Sequence, residues 1–276
     1  MDTIKVMVNG LPGNMATKAV EHILQDSSLK LIPYALTGPE IEATETQIGS
    51  KAVRLIKPDK RQQMVESIKR AKGMVICVDY THPSAVNDNA AFYCENGLPF
   101  IMGTTGGDRT RLVETVQKSD IPAVIAPNMA KQIVAFQAMM EYAAETFPDV
   151  FKGYSLEVKE SHQQGKADTS GTAKAMIGYF NRLGTPFTKD QIRMERDPEV
   201  QRSEWGIPEA YLSGHGWHTY SLRSQDGTVF FQFTHNVNGR DIYARGTVDA
   251  IHYLAKKIEL GAKGSVFTMI DVLKGV

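Results

Sequence analysis

The sequence predicts an α/β chain in two parts, a doubly wound parallel sheet followed by an α+β domain with a mixed, largely antiparallel sheet. Three observations predict it. Short apolar, β-branched runs alternate with helical patterns as far as about Asn128. A glycine turn follows the first of these runs. Beyond Asn128 the strands lengthen and alternate in polarity, and Gln225-Asp226-Gly227 joins two of them as a hairpin signal.

The elements follow in order. Ile4 to Val8 is a strand, NGLPGNM a turn-rich loop, and Ala16 to Leu24 a helix. Leu29 to Leu36 reads as the second strand and ends at TGPE. Helix-like Arg61 to Lys69 precedes strand-like Gly73 to Val78; helical Ser84 to Asn96 precedes LPFIMG; helical Asp108 to Lys118 precedes IPAVIAP. Ala130 to Thr146 is one long helix, with Met, Phe and Ala at helical spacing. YSLEVKE, HTYSLRS and TVFFQFTHN are the later strands, and Ile242 to Lys257 is again helical. These patterns place one domain at residues 1–129, rejoined by 241–276, and a second at 130–240.

Lys+Arg and Asp+Glu both number 31 in 276 residues, so no global field attracts nucleic acid or anionic lipid. Any charged ligand must be met locally. No run is long and apolar enough to span a bilayer. A strand begins almost at once, so no secretory or transit signal is expected, and a reducing compartment suits the two cysteines, Cys77 and Cys94. No Cys/His cluster has ligand spacing, and no metal is expected.

Gly10, Leu11, Pro12, Gly13, Asn14 and Met15 form the turn between the first strand and helix. Gly10 can take backbone angles closed to other residues, and Gly13 lets a phosphate approach the backbone at a helix N-terminus. With Ala16 as the third small residue, the spacing is a variant of the Rossmann-like dinucleotide fingerprint. The second strand ends in Leu36, Thr37, Gly38, Pro39 and Glu40, with no acid at the immediate tip for a ribose diol and no arginine for a 2′-phosphate, but Thr37 can hydrogen-bond a phosphate without repelling it. NADPH is therefore favoured, with NADH possible. Three further strand ends offer hydroxyls, amides and small residues to the same cofactor. They contain Tyr80 and Thr81; Gly103, Thr104 and Thr105; and Ala126, Pro127, Asn128 and Met129. Turn chemistry alone also explains such residues.

ESHQQGKADTSGTAK, residues 160–174, concentrates donors at one helix start. Asp168, Thr169 or Ser170 caps that helix. Ser170, Gly171 and Thr172 form an anion pocket, and the loop bearing His162 and Lys166 can bring both to the same carboxylate or phosphate. His162 suits proton relay near neutral pH, and a lysine can protonate a carbanion or imine formed by hydride transfer. His82, His215, His218 and His235 read as surface or packing residues.

On VNGLPGNM, VDYTHPSAVNDNA, GLPFIMGTTGGDR, APNMAKQIVAF and GYSLEVKESHQQGKADTSGTAKA, the chain resembles the 4-hydroxy-tetrahydrodipicolinate (dihydrodipicolinate) reductases, most closely their plant-type branch. The resemblance implies that His162 is the catalytic histidine and Lys166 the proton-donating lysine. It implies that Gly171 and Thr172, with Ser170 beside them, bind a substrate carboxylate, and that the glycine loop and the loops at 103–105 and 126–129 hold NAD(P)H. Gln163 stands where the family usually has a second histidine, so that substrate contact would be neutral. Asn14 stands where a basic residue usually precedes Met15. A homo-oligomer, a dimer before a tetramer, is implied, located in the cytoplasm or, for a trimmed plant chain, in the plastid stroma. Two readings compete: another nicotinamide reductase of the same architecture acting on a different oxo-acid, which needs a different match for residues 160–174, and a cofactor-binding sensor that has lost its chemistry, against which the presence of both His162 and Lys166 speaks.

Overall fold

A computed structural model describes residues 3–166 and 168–275. The chain divides into two compact units, Met1–Lys131 with Asp241–Val276, and Gln132–Arg240. The first begins β1 (Ile4–Asn9), α1 (Asn14–Gln25), β2 (Leu29–Leu31), β3 (Tyr34–Leu36), β4 (Glu45–Ile48) and β5 (Lys51–Ile56). It continues α2 (Arg61–Lys72), β6 (Ile76–Asp79), α3 (Val86–Glu95), β7 (Phe100–Met102), α4 (Arg109–Gln117) and β8 (Ala123–Ile125). The second unit follows with α5 (Lys131–Thr146), β9 (Ser155–His162), α6 (Gly171–Arg182), β10 (Arg193–Glu195), α7 (Pro198–Ser203), β11 (His215–Arg223) and β12 (Phe230–Asn238). The chain then returns to the first unit with α8 (Asp241–Glu259), β13 (Val266–Phe267) and α9 (Met269–Lys274).

The first unit carries a six-stranded parallel sheet, in the order β13-β8-β7-β6-β1-β2. Its central strands are buried on both faces, which is why β6, β7 and β8 read as unbroken apolar runs. Helix α1 buries Ala16, Ala19, Val20 and Ile23, one stripe at helical spacing. Tyr93 and Phe100 pack with ring centroids 5.2 Å apart; each is fully buried, worth roughly 1.5–3 kcal/mol by area. Cys77 is buried in this core, and both cysteines are free.

Leu29 to Leu36 is not one strand. Pro33 has no N–H for a ladder, and the run breaks there. β2 pairs with β1, whereas β3 enters a separate three-stranded sheet, β3-β5-β4. The β4–β5 hairpin was not legible, because many of its residues are exposed and its polarity pattern is weak. Gly49, with φ +56°, makes its turn.

A buried carboxylate locks the strand ends of this unit together. Asp79, with no exposure, accepts from five donors: the Thr81 N–H at 3.1 Å, the Thr81 hydroxyl at 2.8 Å, the Thr104 hydroxyl at 2.7 Å, Tyr93 Oη at 2.7 Å and Asn89 Nδ2 at 3.0 Å. Asn9 extends the network, donating to Tyr93 Oη at 2.9 Å and accepting the Leu36 N–H at 2.9 Å. The ends of β1, β3 and β6 and the loop after β7 are thus fixed by one set of hydrogen bonds.

The second unit holds a four-stranded mixed sheet, β10-β9-β11-β12, parallel only at β10–β9. Helices α5 and α6 cover one face through Met140, Ala144, Ala173, Met176, Ile177 and Phe180 against Val158, Tyr220 and Leu222. The register sets Glu160 opposite His218, and His218 opposite His235. The turn between β11 and β12 is wider than Gln225-Asp226-Gly227 and closes where the Ser224 N–H donates to Val229 O at 3.0 Å.

Asp79→Ala leaves buried donors without acceptors, so it is expected to lower stability by about 3 kcal/mol. The expected signature is a lower urea midpoint with an unchanged slope; an unshifted midpoint would show that the network contributes nothing.

Candidate functional site

The glycine turn takes the form its sequence implies. Gly10 has φ +96°, and a Cβ there would lie 2.1 Å from the Tyr80 carbonyl oxygen. A Cβ on Gly13 would lie 2.8 Å from Gly10 O. Gly13 is the N-cap of α1 without a side-chain cap, and no acid lies in the first turn, so the helix start is open to an anion. Thr37 donates its hydroxyl to Leu11 O at 2.8 Å. That bond turns its proton toward the glycine turn and braces it.

A cavity of about 950 Å³ opens beside this turn. Gly10, Leu11, Pro12, Gly13, Asn14, Thr37, Tyr80 and Thr81 line it. Met15, the 103–105 loop and the 126–129 loop do not. Thr104 gives its hydroxyl to Asp79, and Thr105 is exposed. A Cβ on Gly103 would lie 2.3 Å from the Tyr80 ring. Asn128 Oδ1 accepts the Ala130 N–H at 2.9 Å just before α5; Pro127 is exposed, while Ala126 and Met129 are buried. Gly246 and Thr247 of α8 support these loops, which the sequence did not reveal. A Cβ on Gly246 would fall 1.8 Å from Met129 O, and Thr247 Oγ1 lies 2.5 Å from Tyr80 Oη.

In the second unit, β9 continues through His162 instead of ending before it in a loop. Alternation along the strand puts Glu160 and His162 on one face. Glu160 is completely buried and gathers four groups. Arg196 Nη2 lies 2.6 Å from Oε1 and His162 Nδ1 3.6 Å from it; the Ser170 N–H donates to Oε2 at 3.2 Å, and His218 Nε2 lies 3.6 Å from that oxygen. Burial alone would raise the Glu160 carboxyl, but His162, His218 and Arg196 outweigh it and hold it far below the usual carboxylate range.

Arg196 also organises the loop. Its Nε donates to Lys166 O at 2.8 Å, Nη1 to Glu195 O at 2.8 Å and Nη2 to Asp168 O at 3.4 Å. The Lys166 N–H closes a turn on Gln163 O at 3.0 Å. Gln201 Nε2 donates to His162 O at 2.7 Å.

Ser170, not Asp168 or Thr169, caps α6. Its hydroxyl accepts the Ala173 N–H at 3.0 Å and lies 2.8 Å from His218 Nε2. That hydroxyl is committed to the cap and to His218, so the open donors at this helix start are the Gly171 and Thr172 N–H groups, which meet no acceptor among the described residues.

Of the four histidines read as surface or packing residues, His218 reaches this carboxylate, and His235 packs on His218. His218 packs edge-on against His162 at 5.0 Å and stacks on His235 at 4.6 Å. His215, on the opposite strand face, donates Nδ1–H to Tyr211 O at 3.0 Å, so its Nε2 accepts the Ser161 hydroxyl at 2.9 Å. His82 is exposed and pairs only with Ser84. Burial lowers the His162 imidazole, with the neighbouring His218 and Arg196 adding to it and Glu160 opposing. Burial, and then His218 and His162, lower His235 to about 4. Glu160, His162 and His218 offer ligand atoms within 4.8 Å of one another. The carboxylate is already bonded to a guanidinium, with which a metal ion would compete.

Glu160, His218, Arg196 and Gln201 were missed by sequence reasoning. The E-x-H spacing was the available signal for Glu160, once the strand is extended by two residues. The other three come from distant segments, and only the register brings them in.

A nucleotide-type glycine turn on a parallel sheet, with a separate mixed sheet carrying the histidine, carboxylate and lysine loop, defines a two-part α/β protein of the Rossmann-type reductase class. The comparisons agree. The family description "Dihydrodipicolinate reductase, N-terminus" matches residues 4–129, and "Dihydrodipicolinate reductase, C-terminus" matches 132–273. The chain is 48% identical over 98% of its length to 4-hydroxy-tetrahydrodipicolinate reductase 1, chloroplastic, of Arabidopsis thaliana, covering 78% of that protein. It is 47% identical over 98% of its length to the probable reductase 1, chloroplastic, of Oryza sativa subsp. japonica, again covering 78%. A dipicolinate-bound dihydrodipicolinate reductase from a Paenisporosarcina species shares the fold, with a TM-score of 0.66 at 18% identity over 96% of this chain and 97% of that one. The chain belongs to the dihydrodipicolinate reductase family.

The lowered His235 imidazole has a consequence for stability. Below about pH 6.5 the unfolded chain binds a proton that the folded chain refuses until about pH 4. Stability therefore falls as pH drops through that window. His235→Phe keeps the ring stack and removes this proton, so the urea midpoint is expected to fall less between pH 6.5 and 4.5 than in the parent. An identical fall in both proteins would contradict the assignment.

Proposed function

We propose that this enzyme reduces 4-hydroxy-tetrahydrodipicolinate to tetrahydrodipicolinate with loss of water, using NAD(P)H, in lysine (diaminopimelate) biosynthesis. The observation that carries the reading is the β9–α6 connection. It joins a buried His162–Glu160 pair, a lysine loop clamped by Arg196 and two open N–H groups at a helix start. Family membership supplies the substrate's identity.

The first unit serves as the cofactor domain. The open start of α1 and the close-packed Gly10 and Gly13 suit a pyrophosphate, and bound nicotinamide supplies the hydride. NADPH is the preferred cofactor and NADH the second. In the other unit, Gly171 and Thr172 N–H groups hold one carboxylate of the cyclic dicarboxylic substrate. Gln163 offers it a neutral contact. Lys166 delivers the proton that completes the reduction. Burial lowers the His162 imidazole, which leaves it little proton to give near neutral pH, so it serves as an imidazole beside the lysine, with Nδ1 3.6 Å from Glu160. Arg196 fixes the lysine loop without meeting substrate.

The uncovered face of the mixed sheet, with Trp217 and Phe230 among its residues, supports a homo-oligomer, a dimer before a tetramer. No helix among the described residues is long and apolar enough to cross a membrane. The chloroplastic names of the plant relatives favour the plastid stroma over the cytoplasm.

The test couples aspartate semialdehyde, pyruvate and the upstream synthase to this enzyme and follows oxidation of NADPH or NADH. Oxidation that needs every component is expected. Folded protein that binds NADPH yet never oxidises it would instead support the sensor reading. Lys166→Ala is expected to lower kcat by roughly 100-fold or more with the Kd for NADPH unchanged. An equal loss of cofactor affinity would remove Lys166 from the proton step.

A further inference from the structure

We infer that Arg61, the first residue of α2, is the residue that selects NADPH over NADH by holding the 2′-phosphate of the adenosine ribose. The inference rests on the nucleotide reading of the first unit. It concerns a residue far in sequence from the glycine turn and from the strand tip that normally makes this choice.

The strand tip lacks a group for the 2′-phosphate. In nucleotide-binding folds of this type the ribose lies beyond the end of the strand next to the glycine turn, where an acid takes the diol or a base takes the phosphate. Here that strand end is β3, bonded to the turn by the Gly10 N–H to Leu36 O at 2.9 Å. Its tip offers Thr37, whose proton is committed to Leu11 O, then Gly38 and Pro39, neither of which carries a charge. The tip holds no cation.

The topology supplies one from the next strand outward. β5 pairs in parallel with β3, so the two strands end side by side, and the chain turns through Pro58–Lys60 straight into α2. Arg61 thus emerges on the outer side of the ribose position. It lines the same cavity as Gly10 to Asn14 and Thr37. Its guanidinium lies over the Phe92 ring, 4.4 Å from the centroid. That stacking fixes one face of the planar cation and leaves its N–H edge free for a phosphate. Arg61 forms no ion pair among the described residues.

The other charged or titratable groups on the cavity wall are Glu40, His82 and Asp88, all exposed, and the Tyr80 phenol, which burial raises. Glu40 curls back over the strand tip, where a Cβ on Gly38 would lie 2.2 Å from its Oε1. Its carboxylate is the natural acceptor for the unphosphorylated diol, so NADH retains a partner when Arg61 is removed. Arginine is also the better residue here than lysine, because its planar fork can give two N–H groups to one phosphate while its face stays on Phe92.

The experiment titrates the purified chain separately with NADPH and NADH, following cofactor fluorescence, for the parent, Arg61→Ala and Arg61→Lys. Arg61→Ala is expected to weaken NADPH about 10- to 100-fold, the span of a lost charge-assisted contact, and to leave NADH within about 2-fold. Arg61→Lys is expected to recover part of the loss. Equal weakening of both cofactors would overturn the proposal and place Arg61 against the adenine ring, which the two share. Unchanged binding of both would overturn it too. Failure of the parent to bind either cofactor is a different result, because it removes the nucleotide reading itself.

Discussion

The buried carboxylate of Glu160 is the point from which the second unit's site is built. A carboxylate with no exposure is tolerable only when its charge is met and its lone pairs are filled. Here a guanidinium, a backbone N–H and two imidazoles meet it. Each belongs to a different piece of chain. His162 lies at the end of β9, His218 on β11, Ser170 at the start of α6 and Arg196 just after β10. Meeting the charge therefore assembles the site. Arg196 then extends the order outward, because its remaining N–H groups hold the carbonyls of the loop that carries Lys166.

The first unit uses the same device. Asp79 is also fully buried, and its five donors come from the loop after β6, from α3 and from the loop after β7. Asn9 links it to β1 and β3. The strand ends of an open parallel sheet are where ligands bind, and they are also where ladder hydrogen bonds run out. A buried acid supplies the missing acceptors at that edge. This gives the hydroxyls of Thr81 and Thr104 an internal task, although the sequence presents them as free ligand groups. Thr37 and Ser170 are treated in the same way, one bracing a loop and the other capping a helix. What remains open to a ligand is mostly backbone N–H at two helix starts, together with the charged side chains that line the cavity.

Histidines illustrate how burial and charge divide the work. His162 and His235 are both lowered by burial, and each feels the neighbouring His218. Of these two, only His162 has a carboxylate beside its ring, 3.6 Å from Nδ1. His235 has the stack without the partner. The same residue type, on the same sheet face, thus becomes an oriented imidazole in one place and a neutral packing ring in the other.

The sequence by itself determined the alternation of strands and helices, the glycine turn, the change to a mixed sheet after Asn128 and the candidates His162, Lys166, Gly171 and Thr172. These features are local. Periodicity, turn chemistry and cap residues act within a few positions, so a linear reading reaches them. It did not reach the break at Pro33 into a second sheet, the strand's continuation through His162, or the β4–β5 hairpin. Only the tertiary structure decided which polar groups are committed and which are free. Glu160 meets His218 because β9 and β11 pair in one register, and Arg196 and Arg61 arrive from segments whose sequence marks them only as surface cations. Register and crossover set those meetings through contacts far apart in the chain, and no local propensity encodes them.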